Sequence, residues 1–115
     1  MAWNPFATEQ LLEVPLSKAE LQHVKVNAGW PKGDDHILIF EVSNGLKEPI
    51  QCGAANAELT TGQTVSKVFV PKFAIPAALT RNASMPVSKG TLKSYALACS
   101  CYKKKGSQAC VNPLK

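Results

Sequence analysis

No acidic residue follows Glu58. All eight carboxylates lie in residues 1–58, against four lysines, while residues 59–115 carry eight lysines and Arg81. The first part is net −4 and the second net +9, which sum to the chain's +5. Segregation this sharp implies one strongly cationic surface on the fold. Arginine is nearly missing as well. Twelve of the thirteen cations are lysine, so planar bidentate recognition of a base or phosphate would rest on Arg81 alone. Aromatics in the basic part are few (Phe69, Phe73, Tyr95 and Tyr102), which leaves little for stacking on bases. Sequence-specific nucleic-acid reading is therefore disfavoured, and a nonspecific electrostatic contact stays open.

Other absences narrow the chemistry. No histidine follows His36, and Asp35 beside it is no dyad, because adjacent side chains of a strand diverge. The chain has no Gly-x-Ser-x-Gly, no P-loop and no dinucleotide fingerprint, so neither an enzyme nor a bound cofactor is expected. No stretch approaches the ~20 apolar residues of a membrane helix. The opening Met1-Ala2-Trp3-Asn4-Pro5 lacks the charged and apolar regions of a signal peptide. That fits a cytosolic chain, or the mature form of a secreted one.

What the chain does have is a framework for short strands. Its 115 residues suffice for one domain with one core. Eight prolines and seven glycines are spread along it as turn signals. Strands are expected at 21–26, 37–42, 50–59, 65–70, 92–102 and 109–111, with a short piece at 73–75. The strongest is Ile37-Leu-Ile-Phe-Glu-Val42, whose all-apolar face is Leu38, Phe40 and Val42. Asn4 followed by Pro5 signals a short helix over residues 5–12. Ser17 and Glu20 have the spacing of a capping box, a second helix candidate or only a turn. Residues 1–15 are expected to pack loosely. The fold class is mainly β: a single-domain antiparallel β-sandwich of about seven strands with a short N-terminal helix. It is only loosely immunoglobulin-like, because Trp3 and Trp30 both precede the first cysteine.

Four cysteines read better as two disulfides than as a metal site, which would show two ligand clusters of C-x2-4-C type. Alternation puts Tyr95, Leu97, Cys99 and Cys101 on one strand face, with Tyr95 in the core. A hairpin centred on Lys105-Gly106 sets Cys101 opposite Cys110, which leaves Cys52 for Cys99. A disulfide-stapled domain belongs in the periplasm or outside the cell.

The functional expectation is a non-enzymatic binding or accessory module outside the cytoplasm, of an inhibitor, immunity or envelope-assembly kind. Its partner would be a protein, with an acidic surface to suit the lysines; an anionic polymer or nucleic acid is the lesser option. The alternative is a cytosolic β domain that binds nucleic acid nonspecifically with reduced cysteines. Candidate binding residues are Lys103, Lys104 and Lys105 at the hairpin tip, and Arg81 and Phe73 in the irregular segment 71–86. That segment either caps the core or forms a partner-binding loop. Asn82-Ala83-Ser84 within it matches the N-glycosylation pattern. Peptide mapping without reduction is expected to return Cys101–Cys110 and Cys52–Cys99; four free thiols would overturn both the pairing and the compartment.

Overall fold

A computed structural model describes residues 10–113. The fold is mainly β and antiparallel. In chain order it runs β1 (Leu11–Pro15), α1 (Lys18–Leu21), β2 (Val24–Gly29), β3 (Ile37–Asn44), β4 (Ile50–Leu59), β5 (Thr64–Ile75), β6 (Thr80–Pro86), β7 (Leu92–Lys104) and β8 (Cys110–Val111). One sheet has the order β1-β7-β4-β5, with β8 also paired to β7, and a three-stranded sheet has the order β2-β3-β6.

The core is made where both sheets contribute their apolar faces. Leu38, Phe40, Val42 and Met85 come from the smaller sheet, and Ile50, Cys52, Ala55, Ala57, Ile75 and Cys101 from the larger. Leu38, Phe40 and Val42 are fully buried, as the period-two pattern of β3 requires, while Glu41 between them faces solvent. The Tyr95 ring meets Phe40 at 5.5 Å between centroids, and its hydroxyl donates to the Val26 carbonyl at 3.2 Å. Tyr95 nonetheless stays 38% exposed, because it marks the margin of the core rather than its centre.

Several expectations need correction. The helix expected over residues 5–12 falls mostly outside the described residues, and its end, Leu11 and Leu12, belongs to β1. That strand pairs with β7 along its whole length, from Leu11 opposite Lys104 to Pro15 opposite Ser100. So residues 11–15 are not loose. The Ser17–Glu20 pattern does make a helix. The Ser17 hydroxyl accepts from the Glu20 N–H, and the Glu20 carboxylate accepts from the Ser17 N–H. The irregular segment 71–86 is mostly strand. β5 continues through Pro71 to Ile75, and Thr80–Pro86 forms β6, paired with β3. Only residues 76–79 connect them. Pro71 is tolerated because β5 is an edge strand and residues 69–72 bulge away from β4, facing the single residue Gly53.

Both disulfides form as paired in the sequence reading, Cys52–Cys99 and Cys101–Cys110. The geometry differs in one respect. Lys103, not Cys101, lies opposite Cys110, because the hairpin return is longer than a simple two-residue turn. The Lys105-Gly106 turn itself is present: Ser107 N–H donates to Lys104 O, and Gly106 has φ +82°. Cys52 and Cys99 are direct cross-strand neighbours within one sheet, whereas an antibody-type bridge spans two.

One buried polar residue joins the parts. The Asn44 amide donates to the carbonyls of Glu48, Ile75 and Pro76, and its oxygen accepts from the Leu46 N–H. It thus ties the end of β3 to the start of β4 and to the β5–β6 connection. Its neighbour must be glycine: a Cβ at Gly45 would lie 2.6 Å from the His23 carbonyl oxygen that accepts the Gly45 N–H. Asn44→Ala strands these groups in a dry site, and should cost on the order of 3 kcal/mol in chemical denaturation. Asn44→Asp should do no better, since a carboxylate cannot donate to the three carbonyls.

Candidate functional site

The charge split along the sequence is partly offset by ion pairs in the fold. Antiparallel return lays the basic part of the chain against the acidic part. Lys72 pairs with Glu13, Lys89 with Asp35 at 3.9 Å, Lys93 with Glu58 at 3.4 Å and Lys103 with Glu20 at 3.1 Å. Each pair joins an acid from residues 1–58 to a lysine after it. Four of the nine cations after residue 58 are offset in this way.

The lysine tip needs correction. Lys103 is buried, at 8% exposure, and does not sit at an exposed tip. It continues the inward row of β7 after Tyr95, Leu97, Cys99 and Cys101, and its ammonium group closes on Glu20 of α1. Burial works against the Glu20 charge, but the Ser17 N–H and Lys103 outweigh it and hold the carboxyl below its ordinary value. Lys104 and Lys105 remain exposed. The alternation that placed Cys101 inward would have placed Lys103 inward too, had it been followed two residues further. Glu20, Cys101 and Cys110 bring possible ligand atoms within 4.8 Å of one another. The two sulfurs are bonded to each other, so neither offers a thiolate to a metal, and the Cys110 Sγ–Glu20 contact of 3.2 Å has no proton to share.

Phe73 and Arg81 lie elsewhere, on β5 and β6, the edge strands of the two sheets that meet at a seam. Lys67 lies in register with Ala55, on the inner side of β5. Its ammonium reaches across to the Ser84 carbonyl on β6 at 2.9 Å and stands 5.6 Å from the Phe69 ring centre. Phe69 and Phe73 form a tilted pair at 6.1 Å, both half-buried. Arg81 lies in register with buried Val42 on β6, so it belongs to the inner row of the smaller sheet, yet it is exposed at the edge. It is on a strand, not on a loop. Asn82 of the glycosylation pattern also lies on β6, exposed on the outer face opposite Glu41.

Two valines on β5 are open to solvent. Val68 is 69% exposed and Val70, in the bulge, is 88% exposed. Sequence reading passed over both, although their β-branched type on a Lys-flanked edge strand was the available signal.

A polar belt anchors the bulge. Glu13 on β1 accepts from Ser100 on β7 at 2.9 Å, from Gln51 on β4 at 2.7 Å, and from Lys72 on β5. One residue from each strand in the sheet order takes part. The Lys72, Gln51 and Ser100 donors together hold the Glu13 carboxyl down to about 2. No protein-family model, curated protein or solved structure matches this chain.

Because the folded value lies below the ~4.3 of an unfolded glutamate, Glu13 stabilises the fold above that pH. Its contribution is lost as pH falls through ~4 toward about 2. Glu13→Gln should therefore flatten the fall in stability over this range, while lowering stability at pH ~7. Denaturant curves at several pH values give the comparison; parallel profiles for the two proteins would deny the belt its role.

Proposed function

We propose that the chain is a non-enzymatic, disulfide-stapled binding module that works outside the cytoplasm and engages a protein through the exposed edge strand β5. The observation that carries this reading is the bare apolar edge of β5. A long edge strand with Val68 and Val70 this open is an association site unless something covers it. Lys67 stands beside the Phe69–Phe73 pair, which sets a cation at the rim of an aromatic centre. That cation suits a partner that offers carboxylates around an apolar patch.

The two sheets with their shared core support the reading of a sandwich, immunoglobulin-like in layering only, since its cross-strand bridge lies within one sheet. Two disulfides and no free cysteine support an oxidising, periplasmic or extracellular setting. The dispersal of lysines into ion pairs argues for shape and apolar contact over bulk charge, and so for a protein rather than a nucleic acid.

The test uses a photo-crosslinking residue in place of Val70, with the protein incubated in an extract of its source. A single crosslinked protein is expected. Val68→Lys with Val70→Lys should abolish its capture by the native surface without lowering the melting temperature, because neither side chain is buried. Lys104→Ser with Lys105→Ser should leave capture intact. Capture that survives the valine changes and fails on the lysine changes would place the interface at the hairpin instead.

A further inference from the structure

The outer face of the three-stranded sheet holds a second feature, independent of the β5 edge. Asn27, Glu41 and Asn82 lie in one cross-strand row over β2, β3 and β6. All are exposed, and among the described residues none of these side chains takes a hydrogen bond or ion pair within the chain. The next row is Gly29, Ile39 and Ser84. With no side chain on Gly29, the face dips there: a Cβ built on it would meet nothing within 4 Å. Trp30, next along the chain, also borders the dip, but its side chain packs against the core and its indole N–H donates to the Val87 carbonyl at 2.7 Å. The depression has a volume of about 430 Å³, within the ~300–1,000 Å³ usual for small-molecule sites.

We propose that this depression binds a neutral hexopyranose unit of a glycan. A sugar hydroxyl both donates and accepts. Two amides flanking a carboxylate offer both functions, at the spacing of neighbouring strands, roughly 5 Å. The C–H face of a pyranose is apolar and fits against Ile39. Glu41 is the only charged residue lining the depression, so uronates, phosphates and sulfates are repelled. A calcium ion would need some six to eight oxygen ligands, and one carboxylate with two amides falls short. Nothing in the proposal depends on the β5 edge or its partner.

Isothermal titration calorimetry of the whole chain, produced without modification at Asn82, tests this with cellotetraose, mannotetraose and chitotetraose, and with tetragalacturonate as the anionic counterpart. Saturable binding is expected for at least one neutral tetrasaccharide and none for the uronate; the neutral sugar that binds identifies the glycan source. Glu41→Gln should weaken binding about tenfold, the worth of one hydrogen bond to a charged acceptor. Gly29→Val should fill the depression and abolish binding while the melting temperature holds, since the added side chain enters open space on a strand. Val68→Lys with Val70→Lys should leave sugar binding unchanged. The proposal fails if no neutral tetrasaccharide gives heat at millimolar concentration, if the uronate binds equally well, or if Gly29→Val binds as the wild type does.

Discussion

The inner face of β7 is the constraint on which the other elements depend. Four of the five alternate residues from Tyr95 to Lys103 attach by their side chains to another part of the chain. Tyr95 hydrogen-bonds to β2 and packs on Phe40 of β3. Cys99 bonds to β4, Cys101 to β8, and Lys103 to Glu20 of α1. A strand is a rigid ruler with a two-residue step, so one alternating row fixes the spacing of four attachments at once. Lys103 is the costly member of the row. Breaking such a pair by removing one partner costs up to ~3–5 kcal/mol when fully buried, and here somewhat less, since both groups keep some water.

Charge follows from that geometry. A strand returning antiparallel across the sheet meets residues from much earlier in the chain. The acidic first part and basic second part are thereby laid side by side, and the ion pairs form between them. Segregation along the sequence thus serves recognition of one part of the chain by the other. What remains for a partner is apolar edge and a few uncommitted cations, which is why the proposed interface rests on Val68, Val70 and the Phe69–Phe73 pair.

Where alternation was strong and local, the fold was legible. The buried face of β3 could be read directly, because Leu38, Phe40 and Val42 sit two apart. Ile50–Leu59 alternates only weakly, and a bulge at Gly53 shifts its buried row from Ile50 and Cys52 to Ala55 and Ala57 rather than Ala54. The disulfide pairing was legible from alternation too, even though the hairpin register differs. Thr80–Pro86 was not, because Thr-Arg-Asn-Ala-Ser-Met-Pro holds little apolar content, and its strand state comes from pairing with β3. Lys103 was misread because charge type was allowed to outweigh position. Its partner Glu20 is 83 residues away, a distance over which no local pattern carries information. Val68 and Val70 hid for the opposite reason: an apolar residue in a strand reads as core until the edge and the bulge are known.

Both covalent bridges lie inside the larger sheet, and none crosses to β2, β3 or β6. Under tension or partial denaturation the two layers are therefore unequal. The sheet containing β7 behaves as one riveted plate, while the smaller sheet is held to it by packing and by the Tyr95, Asn44 and Lys67 hydrogen bonds. The order of yielding follows: the three-stranded layer peels first and re-anneals against a template that has kept its shape.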